Sequence, residues 1–593
     1  KALPLTANGK VNRQMLPAPD ASRPDLKQTY VAPRTPVEEK LANLWAEVLK
    51  VEQVGINDNF FELGGDSIIS IQIVARAHQV GIELAPKQLF DNQTIAKLAA
   101  VANLSREVVT EQGIVTGSVF LTPIQHWFFE QNQPDSHHWN QAILLEVRQA
   151  LDPALLQQVL QGLLEHHDAL RLQFVKAESG WKQINADVKG IVPFQYLDLS
   201  VLSPDQQKAA IEEAATEVQG SLNLAEAPLM EVALFDLGDS QRLLIVIHHL
   251  AVDGVSWRIL FEDLQTAYKQ LSQGKAIALP PKTTSFKYWA EQLREYAQSE
   301  AVRQEQDYWL NQIRTSSQIL SPSVLPVDYT GGDNTVASEK KVSVALNVEE
   351  TQALLQEVPA AYRTQINDVL LTALAQSFAR WTGERSLLVE LEGHGREDIF
   401  NDVNLSRTVG WFTTHFPVLL NIGEASNPGE ALKAVKEQLR RTPNQGIGHG
   451  VLFYLNENRE LKEQLQALPQ PEVKFNYLGQ FDQVLSESSL FAPAKESCGS
   501  ERSLRGSRNR LLVINGSIFS GQLRLDWNYS ENIHRQSTIE SLAQIFVEAL
   551  RSLITHCQSP EAGGYTPSDF KKANVNQKDL DQLLTKINQK TSH

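Results

Sequence analysis

The sequence predicts a small all-α helical bundle followed by a two-lobed α/β domain. Three observations carry that expectation. Ahead of residue 103, apolar side chains recur at helical spacing, as in Leu41, Leu44, Trp45, Val48 and Leu49. Beyond residue 118, long helical patterns alternate with short runs rich in β-branched residues, the pattern of an α/β fold. A polar, glycine-containing gap at 330–335 then divides that block into halves of similar size.

The elements follow in order. Residues 1–27 are Pro-rich, polar and too short to fold alone. Thr35-Pro36-Val-Glu38 has the form of a capping box with Pro at the first helical position, and it opens the first helix. A loop through Asn57, Asp58 and Asn59 leads to Phe60-Phe61-Glu-Leu-Gly64-Gly65-Asp66-Ser67. There two glycines break the chain, Asp66 can cap, and Ser67 opens a helix with Ile68, Ile71, Val74 and Ala75 along one side. A third helix begins near Thr94. This bundle is expected over 28–103, with a linker at 104–118. In the larger block, 243–247, 387–391 and 511–514 read as strands, and 153–165, 257–273 and 348–381 as helical stretches. The lobes are expected at 119–330 and 331–558. The tail, 559–593, is polar and ends in a short amphipathic helix through Leu580, Leu583, Leu584 and Ile587.

Composition bounds the function. The chain has 593 residues, an expectation of about three to five units at ordinary domain sizes. Its formal charge is 54 − 70 = −16, which argues against nucleic acid or an anionic membrane surface as the main partner. No apolar run approaches the ~20 residues that span a bilayer, so a cytoplasmic location is expected. Two cysteines, Cys498 and Cys557, are too few for a disulfide framework or a thiolate metal site.

Three places carry chemistry. Ser67 follows a Gly-Gly-Asp turn at a helix start, where it is exposed beside backbone N–H groups that suit an anion; an ordinary Asp-Ser cap reads equally well there. Arg242-Leu-Leu-Ile-Val-Ile-His248-His249-Leu-Ala-Val-Asp253-Gly254 ends an apolar strand in two histidines. Strand neighbours point to opposite faces, so one histidine at most faces a given cleft. An imidazole with a nearby carboxylate suits acid/base work near neutral pH, a buried pair satisfied by backbone is the plainer alternative, and no spacing suggests zinc. In Leu388-Val-Glu390-Leu-Glu392-Gly-His394-Gly-Arg396-Glu397, alternation puts Leu388, Glu390, Glu392 and His394 on one face, either solvated or lining a cleft between lobes.

The residues carry a family resemblance. Asp58-Asn-Phe-Phe-Glu-Leu-Gly-Gly-Asp-Ser67 resembles the phosphopantetheine attachment motif of peptidyl carrier proteins, in the form found ahead of epimerization domains. The resemblance implies 4'-phosphopantetheine carried on Ser67, after modification by a phosphopantetheinyl transferase. His248-His249 through Gly254 resembles the signature of the condensation-domain superfamily of nonribosomal peptide synthetases, a relative of chloramphenicol acetyltransferase. That implies His249 lining the channel, His248 supporting it, and Asp253 paired with an arginine, either Arg171 or Arg396. The stretch Glu165-His166-His167-Asp168-Ala-Leu-Arg171 resembles the superfamily's early arginine motif and reads as scaffold. Leu121 to Phe128, Asn367 to Ala373, Glu392 to Glu397, Arg407 to Phe412, and Phe475-Asn476-Tyr477-Leu-Gly-Gln480-Phe481-Asp482 resemble the first, third, fourth, fifth and seventh epimerization motifs. Two departures are His449 and Phe416, each where tyrosine is usual. Leu3-Pro-Leu-Thr-Ala-Asn-Gly-Lys10 resembles the last motif of an adenylation domain, so the chain is expected to begin inside its own upstream adenylation domain.

What the resemblance implies is inversion of the Cα centre, L to D, of an aminoacyl or peptidyl thioester on the arm. Glu392 and His249 are the expected acid/base pair, one from each lobe, with the Glu392 pKa raised by burial. Tyr477 and Arg396 are candidates to orient the thioester, with Asn476 beside them. Neither pyridoxal phosphate nor a metal is required, because the thioester itself acidifies the proton. A downstream condensation domain or synthetase is the expected partner, with the C-terminal helix as either its docking element or a plain linker. The alternatives are a condensation domain forming amide bonds and a non-catalytic platform recruiting the carrier.

Overall fold

A computed structural model describes residues 30–84, 86–104, 110–178, 180–188, 192–312, 314–315, 318–319, 325–480, 489–570, 575–580, 582–583 and 586. The segment 1–27, and with it Lys10, lies outside the described residues, as do Leu584 and Ile587 of the expected C-terminal helix. The chain forms two compact units that divide near residue 106. Among the described residues no helix is long and apolar enough to cross a membrane.

The first unit holds the helices Pro36–Leu49, Ser67–Gln79, Pro86–Asp91 and Ile95–Val101. Two short strands, β1 (Ile82–Glu83) and β2 (Asn103–Leu104), pair antiparallel. The first helix starts on the capping box: Thr35 Oγ1 accepts from Glu38 N–H, and Glu38 reaches back to Thr35 N–H. Leu41, Trp45 and Val48 join Phe60, Ile69, Ile73 and Leu98 in one core. The Gly-Gly turn is a steric requirement. Gly64 sits at φ +93, and a Cβ on Gly65 would run into the buried Phe60 ring. Gly65→Ala is expected to destabilise this unit by about 1–3 kcal/mol through overpacking. Urea unfolding of the whole chain, followed in the transition of the first unit, measures it.

The second unit is built on two principal sheets. In the first, β4 (Asn140–Val147), β7 (Phe194–Asp198), β8 (Met230–Asp236), β9 (Gln241–His248) and β16 (Phe491–Pro493) lie in the order β16-β4-β9-β8-β7. A side sheet of three strands holds β3 (Gly117–Val119), β5 (Leu172–Ala177) and β6 (Gly180–Asn185). Strands β10 (Arg314–Thr315) and β11 (Gln318–Ile319) pair with each other. The second principal sheet has β12 (Glu339–Ala345), β13 (Ser386–Gly393), β14 (Thr414–Asn421), β15 (Val473–Gln480), β17 (Leu512–Phe519) and β18 (Gln522–Ser530), ordered β12-β18-β17-β15-β13-β14. The pairs β13–β15 and β15–β17 are parallel.

Burial on both faces explains the continuous apolar run of β9. Leu243, Ile245 and Ile247 enter the central core, whereas Leu244 and Val246 enter a separate cluster with Ile211, Ala215 and Val218 of the helix Pro204–Ser221. The central core also takes Val389, Leu391, Phe475 and Ile514 from the second sheet, so the two sheets share it. Strand β16 comes from the second half of the sequence yet pairs with β4 in the first sheet. A boundary at 330 therefore does not separate self-contained halves. The helical stretch expected over 348–381 comprises three helices: Val348–Gln356, Val358–Tyr362 and Ile366–Thr382. Pro359 opens the middle one, and Arg363, in the left-handed region at φ +55, ends it.

Candidate active site

In the first unit, Ser67 is the first residue of the 13-residue helix Ser67–Gln79. Asp66 caps it, its Oδ1 accepting from Ile68 N–H at 2.9 Å and Ile69 N–H at 2.8 Å. A serine here stands at the positive end of the helix dipole, which suits a covalently attached phosphodiester. The residues present thus fit a phosphopantetheine arm.

In the second unit, β9 delivers the two histidines into different surroundings. His248 is fully buried; its Nε2–H donates to Ser136 O at 2.9 Å, and its Nδ1 accepts from Leu250 N–H at 3.1 Å. Both nitrogens are occupied and burial pulls the pKa down to about 3, so this imidazole is neutral. His249 follows on a short 3₁₀ turn, His249–Ala251. Its Nδ1–H donates to Val252 O at 2.8 Å, which assigns the tautomer and leaves Nε2 with a lone pair. That lone pair faces the Gln141 amide at 3.2 Å, and Gln141 Oε1 accepts from Trp257 Nε1–H at 2.8 Å, fixing which end of the amide meets the imidazole. Burial lowers the His249 pKa to about 4, with the charge of Glu392 opposing the shift.

Asp253 caps the helix Gly254–Ser272, with Oδ1 accepting from Ser256 N–H at 2.7 Å and Oδ2 from Phe412 N–H at 3.1 Å. Its arginine is Arg396, whose Nη2 donates to both carboxylate oxygens at 3.2 and 3.3 Å. Arg396 Nη1 donates to Leu405 O and Thr408 O, and the guanidinium lies 4.0 Å from the centre of the Phe412 ring. Arg171 instead pairs with Asp168 and binds the carbonyls of Val115 and Ala186. Arg396 is thus enclosed in a brace, and this corrects its expected place beside a thioester. The tight turn around it needs Gly395, at φ +67, where a Cβ would run into the Phe412 carbonyl. Strand β13 ends at Gly393, so His394 lies past the alternation; its Nδ1 accepts from Arg396 N–H at 3.0 Å. Burial, with the charge of Asp398, raises the neighbouring Glu397 to about 8.

Glu392 sits near the end of β13, cross-strand from His415 on β14, while Glu390 stands opposite Lys474 on β15. Strand alternation then puts Glu390, Glu392, Lys474 and Asn476 on one face. Glu392 Oε1 lies 2.5 Å from Lys474 Nζ and 3.3 Å from His415 Nε2, and Oε2 accepts from Asn476 Nδ2–H. The expectation of a raised pKa is overturned. Burial alone would raise it, but the Lys474 ammonium and His415 outweigh burial and hold the carboxyl well below the usual carboxylate range. The Trp411 ring stacks on His249 at 4.1 Å, and Trp127 meets Trp411 edge-on at 6.3 Å and His415 at 4.6 Å. This aromatic wall links the His249 side of the site to the Glu392 side. Tyr477 is half-buried, next to Asn476 and over Gly516, where β15 and β17 lose register.

Of the two departures from the motifs, Phe416 is on β14 itself and His449 lies on the helix Ile447–Tyr454 beside it. His449 Nδ1–H donates to His415 O at 3.3 Å, and the Phe416 ring fills the space beside Gly446. Among the described residues, His166, His167 and Asp263 have their ligand atoms close enough for a metal ion. Asp263 is already ion-paired with Arg407 at 2.5 Å and bonded to His167 at 3.0 Å. A guanidinium on the carboxylate makes this group a brace rather than a metal site. Sequence reasoning gave no role to Lys474, His415, Gln141 or Trp411. Lys474 had a signal, standing two residues before Asn476 on the same strand face, whereas Gln141 meets His249 through the β4–β9 pairing.

Comparison with known proteins places this geometry. A family model described as "Condensation domain" matches residues 115–575, and one described as "Phosphopantetheine attachment site" matches 39–102. The chain is 53% identical over 592 residues to a linear gramicidin synthase protein of Brevibacillus parabrevis, a match covering 98% of this chain and 8% of that protein. It is 40% identical to gramicidin S synthase 1 of Brevibacillus brevis, over 98% of this chain and 53% of that protein. The chain thus spans a minor or partial share of these relatives. Among solved structures, the epimerization domain from the third module of tyrocidine synthetase B is 41% identical with a TM-score of 0.71, covering 76% of this chain and 99% of that one. SgcC5 from Streptomyces globisporus, 17% identical with a TM-score of 0.58, covers 75% of this chain and 100% of that one, and shares the fold alone. The chain belongs to the condensation-domain family of nonribosomal peptide synthetases, as a phosphopantetheine carrier domain followed by a condensation-fold domain of the epimerization type.

Proposed function

We propose that the second unit inverts the Cα centre of an aminoacyl or peptidyl thioester carried on Ser67, with His249 and Glu392 as the groups that remove and return the proton. The observation that supports this reading is a site with two oxygen- or nitrogen-based proton carriers, one just past β9 of the first sheet and one on β13 of the second, bridged by Trp411 and Trp127, and each held by its own orienting bonds. When bound, the arm supplies a thioester, which acidifies the α-proton. The chain supplies the rest. His249 holds a lone pair on Nε2 because Nδ1–H is committed to Val252 O. Glu392 is ionised and oriented by Asn476. Their two positions serve opposite faces of one carbon, which inversion demands. Tyr477, next to Asn476, orients the thioester oxygen or offsets its developing charge. Arg396 and Asp253 hold the His249 loop and the 405–412 segment together. No step here calls on pyridoxal phosphate or a metal. Epimerization ahead of a downstream condensation step, in the cytoplasm, is the setting that fits a carrier of this kind.

The test is to load Ser67 of the full chain from L-phenylalanyl- or L-leucyl-coenzyme A with a phosphopantetheinyl transferase, in heavy water. Deuterium enters at Cα and a D/L mixture accumulates, because the isomers differ little in energy. Loading without Cα exchange sinks the reading; amide formation with an added acceptor carrier would favour condensation instead.

A further inference from the structure

We propose that Lys474 is a positioning residue for proton return, its ammonium resupplying Glu392 with the proton that Glu392 delivers to Cα. The inference rests on the epimerization reading above and goes beyond it. Its basis is the arrangement of charges on one sheet face. Lys474 Nζ lies 2.5 Å from Glu392 Oε1, 3.2 Å from His415 Nε2 and 3.9 Å from Glu390 Oε1. Glu390 already has a cation of its own, Arg510, with Tyr454 and His449 near enough for its charge to act on them. The Lys474 ammonium therefore answers mainly to Glu392, and it is roofed by the Trp127 ring at 5.7 Å.

The arrangement poses a problem that Lys474 resolves. Inversion needs one group ready to take a proton and another ready to give one. His249 Nε2 can take a proton but carries none, and Glu392 is ionised, so neither is a donor at rest. The nearest proton bound to nitrogen in hydrogen-bond contact with Glu392 Oε1 is on Lys474. In the step, the Cα–H bond breaks toward His249 Nε2 as an N–H bond forms there. On the opposite face a Lys474 N–H proton passes to Glu392 Oε1, and that O–H then gives its proton to the Cα electron pair. Lys474 is left as an amine and regains a proton from water, while His249 loses its proton to water. His415 Nε2 stands beside both groups, 3.2 Å from Lys474 Nζ and 3.3 Å from Glu392 Oε1. The ammonium can only donate in that contact, so the transferable proton beside Glu392 is the lysine's.

A merely charge-balancing lysine would be replaceable by arginine, whose guanidinium keeps its proton. That difference is the test. Lys474→Arg and Lys474→Met chains are loaded with whichever of the two aminoacyl-coenzyme A probes the wild type inverts, in heavy water. The readout is the ratio of Cα inversion to total Cα deuterium exchange. Both variants are expected to keep exchange, through His249, while the ratio falls about tenfold or more. In Lys474→Met, Glu392 moves back toward the ordinary carboxylate range. Inversion should therefore recover as pH falls toward about 4–5, near the ordinary carboxylate pKa, where solvent can protonate it. Arginine supporting the wild-type ratio overturns the proposal, as does a Met variant with unchanged ratio and pH profile. A Met variant that loses both processes equally also overturns it. Glu392→Gln run in parallel separates the failures: a wild-type chain that loads without Cα exchange sinks the epimerization reading, a Glu392→Gln chain that inverts normally removes Glu392 and the inference with it, and a Glu392→Gln chain that is inactive while both lysine variants are normal sinks the inference alone.

Discussion

Glu392→Gln is expected to lower the rate of Cα inversion by about 10²–10⁴-fold, the range for removing one general acid or base, while Ser67 still loads with its arm. Glutamine keeps the shape and the bond from Asn476 Nδ2 can persist to its carbonyl, so the loss reads the proton and not the packing. His249→Ala is expected to lose as much, since it removes Nε2 and the stack on Trp411. The wild-type pH profile follows from the same groups. His249 works as the neutral base, and burial lowers its pKa to about 4, so inversion persists through the mildly acidic range and falls as pH drops through about 4. The sign is that of a depressed histidine: the active form is the one that burial favours. Radio-HPLC of hydrolysed thioesters from loaded variants measures both effects. An inversion rate in Glu392→Gln within about threefold of wild type, far short of that range, would remove Glu392 from the reaction.

The motif residues were legible because each sits where local chain geometry imposes a pattern. Ser67 follows two glycines that a buried Phe60 ring and a positive φ require. His249 directly follows a strand whose two faces are both buried, which writes itself as an unbroken apolar run. The partners of those residues were not legible in the same way. Lys474 reaches Glu392 across the parallel β13–β15 pair, 82 positions further along the chain (474 − 392), and sequence spacing says nothing about which strands become neighbours. The same blindness produced the inverted expectation for Glu392. Burial was foreseeable from the strand, but the sign of the shift belonged to Lys474 and His415 on the neighbouring strands. The choice between Arg171 and Arg396 for Asp253 was open for a related reason, and only the fold decides it: the arginine is contributed by the loop after β13, not by the short helix after His167.

Arg396→Met is expected to destabilise the second unit by about 3–5 kcal/mol, the cost of breaking a buried ion pair by removing one partner. Arg396 is 4% exposed and Asp253 3%, so neither charge can recover solvation in place. The substitution leaves Asp253 with two N–H donors, from Ser256 and Phe412, against a full buried charge. It also frees the carbonyls of Leu405 and Thr408 and the Phe412 ring face. Asp253→Asn should cost less in cap geometry but leave the guanidinium unpaired, and the double variant should be less destabilised than the sum of the two singles. Because Phe412 and Trp411 belong to the same braced segment, and Trp411 stacks on His249, the damage should reach the site. Inversion is then expected to fall even at temperatures where the fold survives. Urea unfolding of the second unit with parallel inversion rates checks this, and an Arg396→Met chain as stable as wild type would show that the brace contributes little to the fold.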